Sequence, residues 1–268
     1  MGLFLCYTPS LMRPKNAKEL ARMRASGRLV AECFAILEEN IKPGVTLKQL
    51  DRLVEDHIYK QGAETLYKGY RGRQREHPPF PGVICASVNH EICHGIPDGR
   101  VLREGDVVGI DIGLRYKGFC GDACVTYPVG HVAAETERML AIGREALRRG
   151  IEAAQNNNYL NDIGRAIEDY ADTQRVSVVH EWGGHGIGRV LHEELSVSHI
   201  RQPERGPRLR PGLTFTIEPM INAGKHDWIL LPDGWTVITA DGSLSVQFEH
   251  TVAITANGPD ILLSLIHI

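Results

Sequence analysis

The apolar positions of this chain change period along its length, and the changes mark out its elements. From Ala17 to about Glu39, Leu20, Met23, Leu29, Val30, Phe34 and Leu37 recur near helical spacing, with Pro14 and Asn16 ahead of them as start signals. After the turn Lys42-Pro43-Gly44 a second helix is predicted from Leu47, with Leu50, Leu53, Val54 and Ile58 as its buried stripe. Two more helices are expected over Glu135–Ala154 and Leu160–Thr173. Strand-like segments follow each pair. They are Val83–Asn89, Val107–Leu114 and Tyr116–Tyr127, then Val176–Glu181, Leu213–Glu218, Thr236–Thr239 and Val246–Ile254.

The two helix pairs look alike. A shift of 113 places sets Leu47 on Leu160, Gln49 on Asp162 and Leu50 on Ile163, which permits two similar halves. Helix pairs followed by mostly antiparallel strands, twice over, predict an α+β fold with helices on one face of a curved sheet. The stretches 69–82 and 202–212 read as long loops, and no linker divides the chain, so residues 1–268 are read as a single domain.

Composition narrows the choice of partner. The 268 residues carry 33 acidic and 30 basic side chains, a net charge of −3, and lack the basic surplus of a DNA-binding protein. At 43% hydrophobic and 24% charged residues the chain reads as globular, with no apolar run long enough to span a membrane. Gly2 to Tyr7 lacks the features of a signal peptide, and Cys6 stands where a myristoylation pattern needs Ser or Thr. The six cysteines show no paired CxxC spacing and read as thiols of a reducing compartment, which predicts a cytoplasmic protein.

The candidate chemistry lies on the strands. In Val107–Leu114, alternation puts Val108, Ile110, Ile112 and Leu114 on one face and Asp111 between Gly109 and Gly113 on the other. The return strand presents Cys120, Asp122 and Cys124, and the turn near Tyr116-Lys117-Gly118 should set Asp111 and Asp122 across from each other. Glu218 and Glu249 take the polar faces of two later segments, and His185 sits in the glycine-crowded Gly183-Gly184-His185-Gly186-Ile187-Gly188. A solvated hairpin face is the plain alternative. If the carboxylates converge, each pair at ~4 Å repels by roughly 4 kcal/mol at an effective dielectric of about 20. Four carboxylates and one imidazole suit two divalent ions such as Mn, Fe, Co or Zn, which would polarise a carbonyl and activate water near neutral pH.

Asp111, Asp122, His185, Glu218 and Glu249, in this order and within Ile110-Asp111, Gly121-Asp122, Gly184-His185-Gly186-Ile187-Gly188, Thr216-Ile217-Glu218-Pro219 and Glu249-His250-Thr251, resemble the five metal ligands of the methionine aminopeptidases. The similarity runs from about Arg24 to Asp260, leaving 1–13 and 261–268 as expected peripheral tails. Ligand intervals of 11, 63, 33 and 31 residues resemble the short type I, bacterial or organellar, form.

The resemblance implies a pita-bread fold with pseudo-twofold halves and two bound divalent ions. It implies a monomer that removes the initiator methionine from nascent N-termini when the second residue is small, with transient ribosome association. It also implies that His94 contacts the substrate near the scissile amide, that His192 hydrogen-bonds the substrate carbonyl or developing oxyanion, and that Glu218 carries protons. Tyr67, Tyr70, Phe80, Cys85, Leu191 and Trp235 resemble the lining of the methionine pocket.

Several positions depart from the family pattern. Arg71 to Pro79 contains about six residues that look inserted beside that pocket, Leu191 stands where an aromatic is usual, and Leu195 where proline is usual. Cys120 and Cys124 flank Asp122, as oxidation-sensitive neighbours of the metals or as packing thiols, and His57, His77, His131 and His250 read as structural or exposed. Arg71, Arg73 and Arg75, or Arg205, Arg208 and Arg210, are positions able to touch RNA, although a charge run is more often a solvated face. The rival readings are a proline-specific aminopeptidase or prolidase of the same fold, and a binding protein that kept the fold without catalysis.

Overall fold

Capping chemistry fixes where the helices begin. In this computed structural model, which describes residues 13–72 and 78–263, helix α1 (Ala17–Asn40) starts at Asn16, whose side chain and that of Glu19 exchange hydrogen bonds with each other's backbone N–H. Helix α2 (Leu47–Lys60) begins with the same reciprocal bonds between Thr46 and Gln49. Helices α3 (Ala134–Ala153) and α4 (Asn161–Gln174) form the second pair. The 113-residue shift extends to local bonding: Tyr159 N–H donates to Asp162 at 3.0 Å as Thr46 N–H donates to Gln49 at 2.8 Å. Both Thr46 and Tyr159 also make an isolated antiparallel bridge. Leu53 departs from the expected stripe and is exposed, because the buried row Leu47, Leu50, Val54 and Ile58 already completes one helical face. Cys6, Arg73, Arg75, His77 and most of the two expected tails lie outside the described residues.

The first-half strands are β1 (Glu64–Thr65), β2 (Cys85–Val88), β3 (Glu91–Cys93), β4 (Val107–Tyr116) and β5 (Phe119–Pro128). Strand β4 pairs with β5 along its whole length and with β2 and β1 on successive stretches, all antiparallel. The second half holds β6 (Ser177–Val178), β7 (Gly184–Gly186), β8 (Glu193–Val197), β9 (Thr214–Ile217), β10 (Met220–Asn222), β11 (Trp228–Leu230), β12 (Val237–Thr239), β13 (Ser245–Gln247), β14 (His250–Thr255) and β15 (Gly258–Ile261). With β3 from the first half, these form a five-stranded sheet in the order β15-β14-β9-β7-β8 and two three-stranded sheets, β13-β10-β6 and β11-β12-β3.

Two expectations about strands are corrected here. The segment expected as one strand over Val246–Ile254 is two, since Phe248-Glu249 crosses from the β10–β13 sheet to the β9–β14 sheet and Glu249 N–H donates to the Cys124 carbonyl at 2.8 Å. Of Val176–Glu181, only Ser177 and Val178 pair as strand.

One apolar cluster joins the halves, with Val30, Phe34 and Leu50 from the first and Ile163, Ile217 and Phe248 from the second. A smaller cluster of Met23, Tyr67, Phe80, Leu191 and Trp235 lies beside the candidate site. Leu262 and Leu263, assigned to a peripheral tail from the sequence, are buried, and Leu262 N–H donates to the Thr251 carbonyl at 2.9 Å. No helix among the described residues is long and apolar enough to cross a membrane.

Candidate metal centre

The β4–β5 hairpin turns on two residues, Lys117 and Gly118, both at positive φ (51° and 77°), as a tight hairpin turn requires. That turn fixes Tyr116 opposite Phe119, so Asp111 pairs with Cys124 and Asp122 with Gly113. The aspartates therefore share a face but lie diagonally rather than directly opposite. Tyr67 fills the diagonal, its hydroxyl 2.6 Å from Asp111 Oδ1 and 2.7 Å from Asp122 Oδ1. Gly113 makes room for it, because a Cβ there would stand 2.6 Å from the Tyr67 ring.

The second half supplies the other three groups at strand ends and irregularities. His185 lies in β7, where its Nδ1–H can donate to the Gly186 carbonyl at 3.1 Å and leave Nε2 as the acceptor facing the cavity. That Nε2 is 3.5 Å from Asp122 Oδ2 and 3.8 Å from Glu218 Oε1. Glu218 follows β9; Thr216 Oγ1 donates to its Oε1 at 2.6 Å and accepts from His185 N–H at 2.9 Å. Ligand atoms of Asp122, His185 and Glu249 lie within 4.8 Å of one another.

The electrostatics of this cluster call for a cation. Burial, reinforced by the charge of Asp122, lifts Asp111 and Glu249 well above the usual carboxylate range. Burial also raises Glu218, to about 7, against the opposing pull of His185 and Thr216. For His185, burial favours the neutral ring, but the Asp122 and Glu218 carboxylates outweigh it and raise the pKa to about 9. Glu249 Oε1 is buried with no hydrogen-bond partner, which is the mark of a ligand atom whose partner is an ion. The oxygen-rich donor set with one imidazole fits hard or borderline divalent ions.

The remaining predicted residues line the same cavity of about 600 Å³. His94 adopts a left-handed backbone (φ 57°), its ring edge-on to Trp182 at 5.2 Å, and burial lowers its pKa to about 4. The His192 ring stands 4.3 Å from that of His185, with Tyr70 Oη 3.3 Å from its Nδ1. Trp235 is set by Asp233, which accepts from the N–H groups of Trp235 and Thr236 at 2.8 Å, and it packs edge-on to Phe80 at 5.4 Å. Tyr67, Tyr70, Phe80, Cys85, Leu191 and Trp235 thus share one wall. Cys120 and Cys124 are buried, and burial holds both thiols protonated, with Cys120 pushed up to about 12.

Three contributors escaped the sequence reading. His199 is buried behind the site and its Nε2 accepts from Glu218 N–H at 3.2 Å, but no local motif separates it from a core histidine. Trp182 backs His94, and the Tyr67 hydroxyl bridges the aspartates, a contact that depends on register. A place in the pocket lining carries no hint of that bridge.

The fold and site define a metallopeptidase built on the pita-bread architecture. The model of the metallopeptidase family M24 matches residues 21–256, and the chain belongs to that family. A methionine aminopeptidase 1 of Bacillus subtilis is 44% identical over 97% of this chain and 99% of its own. The crystal structure of a methionine aminopeptidase from Rickettsia prowazekii superposes with a TM-score of 0.89 at 40% identity, covering 94% of this chain and 99% of its own. A prolidase from Pyrococcus furiosus, at 21% identity and a TM-score of 0.74, shares the fold, and this chain covers 67% of it.

Proposed function

We propose that this hydrolase is a methionine aminopeptidase that removes the initiator methionine from nascent chains when the second residue is small. The observation that carries the reading is the convergence of Asp111, Asp122, His185, Glu218 and Glu249, with the unpartnered Glu249 Oε1 among them, at one end of an aromatic-walled cavity. Those five residues would hold two divalent ions, which supply Lewis acidity and an activated water.

The chain's own residues do the rest. Tyr67, Tyr70, Phe80, Cys85, Leu191 and Trp235 receive the methionine side chain, whose thioether packs well against aromatic rings. Tyr70 Oη stands 3.3 Å from His192 Nδ1 and helps fix the ring, and His192 would hydrogen-bond the carbonyl oxygen as charge develops there. Glu218 accepts the proton of the attacking water and delivers it to the leaving amine, with His94 beside the scissile amide. The same proposal takes residues 1–268 as one catalytic domain, working as a monomer in the cytoplasm with transient ribosome contact.

The identity of the relatives favours this over the prolidase reading, whose representatives share only the fold. Peptides beginning Met-Gly, Met-Ala, Met-Lys and Ala-Pro test it. Methionine should be released from the first two alone; cleavage of Ala-Pro with Met-Gly intact would move the assignment to the proline-specific class.

A further inference from the structure

Lys15 is buried, yet none of the chemistry above uses it. Its side chain is 3% exposed, and its Nζ stands 2.5 Å from Glu193 Oε2 and 3.4 Å from the Arg13 carbonyl. A lysine withdrawn from water needs a partner. This partner is 178 positions away, directly follows His192, and lines the active-site cavity. The Lys15 backbone is fixed as well, its N–H donating to the Gly212 carbonyl at 2.7 Å.

The pair meets where β8 leaves regular pairing. His185 is opposite Ser196 and Gly186 opposite Glu193, so Glu194 and Leu195 are extra residues in β8. Such bulges re-aim neighbouring side chains. His192 directly precedes this strand, and its ring stands 4.3 Å from that of His185 in an edge-on contact. Gly188 keeps the space open, since a Cβ there would lie 2.6 Å from Lys15 Cε. A parallel tie runs from the same N-terminal segment to the same loop, with Glu19 holding Arg13 at 2.5 Å and Arg189 at 3.7 Å.

We propose that Lys15 is a positioning residue: by anchoring Glu193 at the bulge it sets His192 against the metal centre, so the segment ahead of α1 controls turnover without touching substrate. This rests on the role given to His192 above. A pair that only pinned the start of α1 would act on stability alone, or on activity regardless of His192.

Kinetics of the metal-saturated full chain on a Met-Ala peptide separate these cases. Lys15→Met retains most of the apolar stem and removes the charge; Glu193→Gln removes the other. Each should lower kcat by up to about 100-fold, the scale of a small misplacement at a catalytic group, with KM little changed. In a His192→Ala background the same substitutions should produce no further loss. An unchanged kcat in a folded Lys15→Met chain overturns the proposal, and so does an equal loss in both backgrounds. Should Lys15→Met fail to fold, Glu193→Gln carries the same comparison. A wild-type chain that releases no methionine overturns the functional reading instead, and this one with it.

Discussion

The two halves of the molecule bring their candidate metal ligands to one cavity by opposite means. In the first half, Asp111 and Asp122 sit on a hairpin of two ten-residue strands whose register never breaks. In the second, His185 adjoins a bulge, Glu218 falls between β9 and β10, and Glu249 between β13 and β14. Regular pairing can hold two like charges at a fixed same-face spacing, but it cannot bring in groups from another sheet. The second half therefore uses strand ends, and Glu218 leans on Thr216, His199 and, at 3.4 Å, Gln247.

Ligand removal should be the largest effect and should be equal across the halves. Asp122→Asn and Glu249→Gln are each expected to lower kcat/KM by about 1,000-fold or more, read as methionine release at saturating metal. A mild effect in one half alone would break the symmetry of the account. Two buried threonines sharpen the contrast. Thr216→Val should lower kcat/KM by about 10- to 100-fold, because its hydroxyl orients Glu218 and anchors His185. Thr126 exchanges bonds of 2.7 and 3.0 Å with Gln247, and Thr126→Val should instead cost about 1–3 kcal/mol in denaturant unfolding with little change in turnover.

The metal-free chain should lose stability as pH rises. Glu218 at about 7 holds a proton that the unfolded chain releases near 4.5, and His185 at about 9 holds one released near 6.5. Both contributions are fully present below the unfolded values and disappear as pH climbs through the folded ones. Melting temperatures of the metal-free chain should therefore fall between pH 6.5 and pH 9, above the range in which the buried rings of His94, His199 and His250, held neutral by burial, add stability as pH rises. Saturating divalent cation should flatten or reverse that trend, since metal replaces those protons. A metal-free melting temperature that rises over this range would contradict the buried cluster. The smallest effect concerns the repeat: Gln49→Ala and Asp162→Ala remove the equivalent acceptors and should each cost about 1 kcal/mol, read by chemical denaturation, with activity unchanged.

The same contrast explains what could be read from the sequence. Alternation in Val107–Leu114 placed Asp111 on its face, and the start of the first helix followed from Asn16, because those signals are local. The diagonal of Asp111 and Asp122 was misplaced by one pairing step, since register hangs on which two residues make the turn. The break at Phe248-Glu249 is invisible to an apolar pattern that continues through it, and it depends on a bond to Cys124 in the other half. His199, Lys15 and the Tyr67 bridge act through contacts far apart in sequence, which no spacing encodes. The five-residue set was legible because each acid and the histidine carried its own local motif.

The central claim is that both halves complete one metal centre for methionine release. Its most direct test is a titration of metal-free chain with Mn or Co, following binding by calorimetry and methionine release from Met-Gly peptides in parallel. The account predicts no turnover without metal, recovery complete by two equivalents, and loss of recovery in both Asp111→Asn and Glu249→Gln. Full turnover by the metal-free chain, or undiminished metal binding in both variants, would contradict it.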